Sequence, residues 1–164
     1  MEITVMAKII LICGKLCCGK TTYAEKLRHQ NGAVLLSVDE IMLAIFGQHA
    51  GDRHDEYAER VQTYLFDKSV EMIETGISVI LDWGFWTRNK RAYAKEFYKS
   101  RGIGCELHYI DINDETWRAR IERRNRAVED GEVNAYYIDE NLAAKFKSRF
   151  EAPGKDEMDV WVEG

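Results

Sequence analysis

Proline is almost missing from this 164-residue chain: Pro153 is the only one, and no Ser/Gly tract or self-similar period accompanies it. Linkers, repeat arrays and low-complexity stalks are thereby excluded, and one continuous domain over residues 1–164 is expected. No apolar run approaches the ~20 residues that cross a bilayer, and the acidic start at Met1 and Glu2 lacks the basic end of a secretion signal. A cytoplasmic protein without membrane contact is expected. Positive charge is also in deficit, with 23 Lys+Arg against 28 Asp+Glu and a net charge of −5. Such a balance opposes non-specific attachment to long nucleic acid, so an anionic ligand must be held locally. The four cysteines, Cys13, Cys17, Cys18 and Cys105, include an adjacent pair and no spaced Cys/His set. Neither a disulfide framework nor a zinc site follows from that spacing.

What is present is an alternation of short apolar runs with longer amphipathic stretches. The runs at residues 8–13, 34–38, 79–81 and 107–110 read as buried strands. Helical periodicity occupies residues 20–30, 39–46, 55–74 and 88–100. Asn113 is a good N-cap for a helix over residues 117–127, stopped at Asp130 and Gly131. A last helix fits residues 139–150, and residues 160–162 add a short fifth strand. The βαβα order implies an α/β fold with a parallel sheet covered by helices on both faces, and a ligand crevice beyond the carboxyl ends of the strands.

Residues 14–21, GKLCCGKT, match G-x-x-x-x-G-K-[ST] between the first strand and the first helix. In that setting Gly14 and Gly19 permit a tight loop, and the backbone N–H groups of Gly14, Lys15, Leu16, Cys17, Cys18, Gly19, Lys20, Thr21 and Thr22 face a polyphosphate. Lys20 reaches the β and γ phosphates, and the Thr21 hydroxyl can ligate Mg²⁺. Cys17 and Cys18 either pack as small side chains or form a low-pKa thiol sensitive to oxidation.

Asp82 closes the third strand, where a carboxylate can hold Mg²⁺. Trp83 follows it, in place of the glutamate with which many ATPases activate water, and the chain has neither a D-x-x-G switch nor N-K-x-D. Deliberate hydrolysis and GTPase signalling are disfavoured. Asp39 is read as the end of the second strand, at the same rim, and either takes a proton from an attacking hydroxyl or caps the next helix; Glu40 is the alternative base. Arg118, Arg120, Arg123, Arg124 and Arg126 lie within nine residues. They form either an ATP lid, with Arg120 near the base and Arg124 on the phosphates, or a solvated face paired with Glu115, Glu122 and Glu129.

Residues 14–21, Ser37 to Glu40, Asp82 with Phe85 and Arg88, and Arg120 to Arg126 together resemble the small phosphate-loop kinases. The nearest likeness is to the group of polynucleotide 5′-hydroxyl kinase, chloramphenicol phosphotransferase and the zeta toxins, over residues 7–150. The resemblance implies a three-layer α/β/α P-loop fold with strand order 2-3-1-4-5 and a lid near residues 118–136. It also implies transfer of the ATP γ phosphate to a hydroxyl, with Asp39 as base and Lys20, Thr21, Arg120 and Arg124 around ATP and Mg²⁺. The acceptor is a small molecule or nucleotide. A nucleotide-dependent binding module with little turnover is the competing class. Polynucleotide end repair is a third, for which Arg88, Lys90, Arg91, Lys95 and Lys99 offer a basic stripe. Trp83 to Trp86 either line an acceptor pocket or pack in the core, and His49 and His54 are expected in a mobile loop.

Overall fold

The computed structural model describes residues 6–164; the acidic start lies outside them. Its strands are β1 (Ile9–Gly14), β2 (Val34–Leu36), β3 (Val79–Gly84), β4 (Cys105–Asp111) and β5 (Val160–Glu163). They form a five-stranded, all-parallel sheet of order β2-β3-β1-β4-β5. Helices α1 (Lys20–Asn31), α2 (Val38–Phe46), α3 (His54–Glu74), α4 (Arg88–Lys99), α5 (Asp114–Glu129) and α6 (Glu140–Arg149) cover it.

β1 is central and buried at every position, which is why its sequence is a continuous apolar run instead of an alternating one. The two-residue period of a strand divides that run between two layers. Ile9, Leu11 and Cys13 pack with Leu81, Phe66 and Tyr98 on the α3/α4 side. Ile10 and Ile12 pack with Ala24, Trp117 and Phe146 on the α1/α5/α6 side. A smaller cluster of Val38, Met42 and Leu65 joins α2 to α3 beyond the sheet's carboxyl rim.

Caps fix the helix starts. Asn113 Oδ1 accepts from the Thr116 N–H at 2.8 Å, and Asp139 Oδ1 accepts from Leu142 at 2.7 Å. Among the described residues no helix is long and apolar enough to cross a membrane.

Three expectations change. First, Asp39 does not end a strand. β2 stops at Leu36 and Ser37 is the N-cap, its hydroxyl accepting from Glu40 N–H at 3.3 Å, so Asp39 lies in the first turn of α2 and caps nothing. Ser37 was the stronger signal for a helix start, since a helix cap needs extended backbone followed by free N–H groups. Second, β3 runs three residues past Leu81, through a register shift against β1 between Leu11 and Cys13. Third, there is no free basic stripe on α4. Arg91 is 1% exposed and ion-paired to Glu157 at 2.8 Å, Arg88 pairs with Asp156 at 2.6 Å, and Lys95 with Asp159 at 3.5 Å. The acidic segment before β5 folds over α4 and pairs Arg88, Arg91 and Lys95, leaving Lys90 and Lys99 as separate exposed charges.

Candidate active site

The loop from β1 to α1 is built as an anion cradle. Cys17 (φ 56°) and Gly19 (φ 99°) both adopt left-handed backbone, which turns successive N–H groups inward. Gly14 is required for another reason: a Cβ there would meet Cys18 Sγ at 2.5 Å and the Ile110 carbonyl at 3.0 Å. Helix α1 then opens on Gly19, which has no side chain to cap it, and has no acidic residue in its first turn. The N–H groups of Lys20, Thr21 and Thr22 therefore lack intrahelical partners and carry the positive end of the helix dipole. Lys20 folds back over the cradle, its Nζ donating to Lys15 O at 2.7 Å and Gly14 O at 3.3 Å.

The far side of the cradle is tied to α5. Trp117 Nε1 donates to Leu16 O at 2.7 Å, and Arg120 Nη1 donates to Cys18 O at 2.6 Å. Carbonyls that would repel an anion are thus turned outward and satisfied. Arg120 is engaged with the loop itself. Arg124, one helical turn on, lies beside the Cys17 thiol and within the field of Asp82. Lys15 points away from the cradle to Asp114 at 2.8 Å and Ile112 O at 3.2 Å, leaving only its backbone N–H for a ligand.

Asp82, inside β3 two residues before its end, is 7% exposed. Burial raises its carboxyl pKa, Lys20 and Arg124 oppose that rise, and Asp39 adds to it. Those four side chains, from β3, α1, α5 and α2, therefore share one electrostatic neighbourhood. Asp39 is exposed on it. Asp82 accepts no hydrogen bond among the described residues, so a carboxylate that burial disfavours is left to a cation. The donor set fits Mg²⁺: Asp82 and the Thr21 hydroxyl are oxygen ligands, and the metal takes its remaining ligands from water and phosphate. Such a site needs no cluster of protein ligands, and among the described residues no three His, Cys, Asp or Glu groups gather for a metal.

Cys17 is not an activated thiol. Burial raises its pKa, and the nearby Arg124 and Lys20 only partly offset this. Burial likewise pushes Cys13 up to about 12. Of the two alternatives for the loop cysteines, burial favours packing at Cys17, and Cys18 is 1% exposed against the α1/α5/α6 layer.

The aromatics after Asp82 divide. Trp86 sits edge-on to Phe146 at 5.0 Å in the core, and Phe85 is 1% exposed. Trp83 and one side of Phe85 join Phe66, Tyr93, Gln62 and Asn89 around a cavity of about 320 Å³ between α3 and α4. Phe85 is held at φ 45°, with its carbonyl accepting from Arg91 Nη1 at 3.0 Å. A bulky residue at positive φ stores strain, and the buried arginine holds it in place in the core behind β3.

Two residues that sequence reasoning passed over belong here. Tyr136, from the segment between α5 and α6, packs against the Val38, Met42 and Leu65 cluster with its ring edge-on to His54 at 5.5 Å. His54 is thus the half-buried first residue of α3, while His49 stays exposed. Asn125 pins the same segment, donating to Ile138 O and accepting from Ile138 N–H, both at 2.8 Å. Asn125 is visible in sequence only as one more polar residue of an arginine-rich helix, and Tyr136 stands in a stretch without periodicity.

Known proteins share this fold. A sugar kinase from Janibacter sp. HTCC2649 superposes with a TM-score of 0.67 at 16% identity, covering 96% of this chain and 85% of its own. A gluconokinase from Sinorhizobium meliloti 1021 gives 0.65 at 14% identity, covering 96% and 83%. The Mycobacterium tuberculosis APS kinase CysC, in complex with AMPPNP and APS, gives 0.63 at 16% identity, covering 96% and 88%. No curated protein matches the chain in sequence. At these identities the likeness establishes the fold, that of the small P-loop kinases. A family model described as an AAA domain matches residues 9–153, most of the chain from β1 to beyond α6, and the protein accordingly belongs to that AAA-domain family of P-loop proteins.

Proposed function

We propose that this protein is an ATP-dependent phosphotransferase that moves the γ phosphoryl group of ATP to a hydroxyl of a small molecule or nucleotide. The observation that carries the reading is the placing of a free carboxylate, Asp39, in the same neighbourhood as Lys20, Arg124 and Asp82 at the head of an uncapped cradle. In the step, the acceptor oxygen forms a bond to the γ phosphorus while the bond from that phosphorus to the bridging oxygen breaks, and ADP keeps the electron pair. Asp39 receives the hydroxyl proton. The cradle N–H groups, Lys20 and Arg124 hold the phosphates and stabilise the charge that gathers on the transferring group. Mg²⁺, held by Thr21 and Asp82, supplies further charge neutralisation when bound. Trp83 stands where a water-activating carboxylate would favour hydrolysis.

The ion pairs that engage Arg88, Arg91 and Lys95 weigh against a continuous polynucleotide track on α4. A transfer assay with γ-labelled ATP and Mg²⁺ over metabolites, antibiotics, nucleotides and 5′-hydroxyl oligonucleotides tests the reading. Asp39→Asn is expected to keep ATP affinity and lose about 100-fold or more in transfer, whereas Lys20→Ala weakens both. An Asp39→Asn variant as active as the parent removes the base from this scheme.

A further inference from the structure

We propose that the Tyr136 hydroxyl is a specificity donor to the phosphoryl acceptor, and that the acceptor therefore carries a second oxygen beside the hydroxyl that reacts. The class is a polyol, sugar, nucleoside or hydroxy acid, as opposed to a lone alcohol. This rests on the phosphotransferase reading above.

Tyr136 is placed by bonds on both sides. Gln48 Nε2 donates to Ala135 O at 2.7 Å, and Gln48 Oε1 accepts from Tyr137 N–H at 3.2 Å. Two residues further, Asn125 makes its paired bonds to Ile138. The segment is thus stitched to the turn after α2 and to the helix that carries Arg120 and Arg124. The Tyr136 ring lies on the cluster of Val38, the residue before Asp39, together with Trp83, the residue after Asp82. Tyr136 thus shares one cluster with the chain neighbours of both carboxylates, and the Asp39 charge acts on its hydroxyl.

Against that well-satisfied surround, the Tyr136 hydroxyl is the one side-chain polar atom among the described residues that is both wholly shut off from solvent and without a hydrogen-bond partner. Phenylalanine would fill the same space without stranding a donor. A buried hydroxyl left unpaired is unfavourable, and in a native protein it calls for a partner that arrives from outside. Burial and the nearby Asp39 carboxylate push its pKa up to about 12, so at neutral pH it keeps its proton and acts as donor. A donor beside a base divides the labour: Asp39 takes the proton of one oxygen while Tyr136 gives a hydrogen bond to the next. A hydrogen bond from Tyr136 to the attacking oxygen itself would draw electron density from the nucleophile, so the productive partner is a second oxygen, and an acceptor without one forgoes this donor.

The test uses the full chain and Tyr136→Phe, with D-ribose, myo-inositol, D-glycerate and adenosine as probes and 1-propanol as the single-oxygen control. The parent protein is expected to phosphorylate at least one of the four and not propanol. The variant is expected to lose about 10- to 100-fold in kcat/KM for that acceptor, the worth of one hydrogen bond to a polar or charged group, while its calorimetric ATP Kd stays within about twofold. In the absence of ligands it melts at or above the parent's temperature. Four outcomes overturn the proposal: an unchanged kcat/KM, a lowered Tm that reveals a partner within the folded chain, transfer to propanol as fast as to the probes, or ATP binding with transfer to none of the four. Failure of the underlying reading looks different, as absent ATP binding or as transfer indifferent to Asp39→Asn.

Discussion

Replacing Arg91 by alanine is expected to remove about 3–5 kcal/mol of folding stability, the cost of breaking a buried ion pair from one side. The guanidinium is 1% exposed. Its Nε meets Glu157 Oε1 at 2.8 Å, and its Nη1 donates to the carbonyls of Phe85 at 3.0 Å and Glu151 at 2.8 Å. Alanine would strand a carboxylate that is only 12% exposed and two carbonyls that water reaches poorly. For a chain of this length the loss corresponds to roughly 6–20 °C in Tm. Urea unfolding followed by circular dichroism reads it directly. Replacing both partners with apolar residues, Arg91→Met with Glu157→Leu, is expected to recover most of the loss, because no charge is then left buried alone. The pair also sets a pH dependence. Burial works to raise the Glu157 pKa, but hydrogen bonds from Arg91 and the Gly154 N–H, with the charges of Arg91 and Arg88, hold it below its ordinary 4.5. A depressed carboxyl contributes stability above its unfolded pKa and loses it as pH falls through the folded one. Parent protein should therefore lose stability below about pH 4.5, and Arg91→Ala should lose less over the same range. An Arg91→Ala variant costing under about 1 kcal/mol would refute the reasoning.

Asp82→Asn is expected to raise the melting temperature of the ligand-free protein at pH 7, since a carboxyl whose folded pKa is raised destabilises the fold once deprotonated; the same variant should lose Mg²⁺-dependent nucleotide binding in calorimetry. Cys17 should react with iodoacetamide at neutral pH more slowly than an unstructured thiol, read by mass spectrometry, and faster labelling than that would contradict its raised pKa. Asn125→Ala leaves the N–H and carbonyl of Ile138 without their partners and is expected to cost about 1–3 kcal/mol in urea unfolding, with increased hydrogen exchange at residues 134–138.

The cradle, the parallel sheet and the cap at Asn113 were legible because each depends on residues close in sequence. A glycine loop after an apolar run, or a short polar side chain before a helical period, carries its own physics. Two of the misreadings depend on distant partners, and the third on a local cap. Whether Arg91 faces water or Glu157 is decided 66 residues away by an acidic segment folding back over α4. The last three residues of β3 exist because β1 shifts register there, a property of the pair and not of either strand. Asp39 was assigned to a strand because Val34 to Val38 reads as one apolar unit, and only the Ser37 cap shows that Val38 already belongs to α2. For the site, the cradle residues and Asp82 followed from a motif, whereas Tyr136 entered through bonds made by Gln48 and Asn125, which no local pattern announces.

The two bonds from α5 to the outward carbonyls of Leu16 and Cys18 give that helix a second office. Floor and roof of the nucleotide chamber become one lever. Pressing on the solvent side of residues 117–124 should alter how long ADP stays, even at side chains that never meet it. An alanine scan there would show a helical rhythm in product off-rates, peaking at Trp117, Arg120 and Arg124.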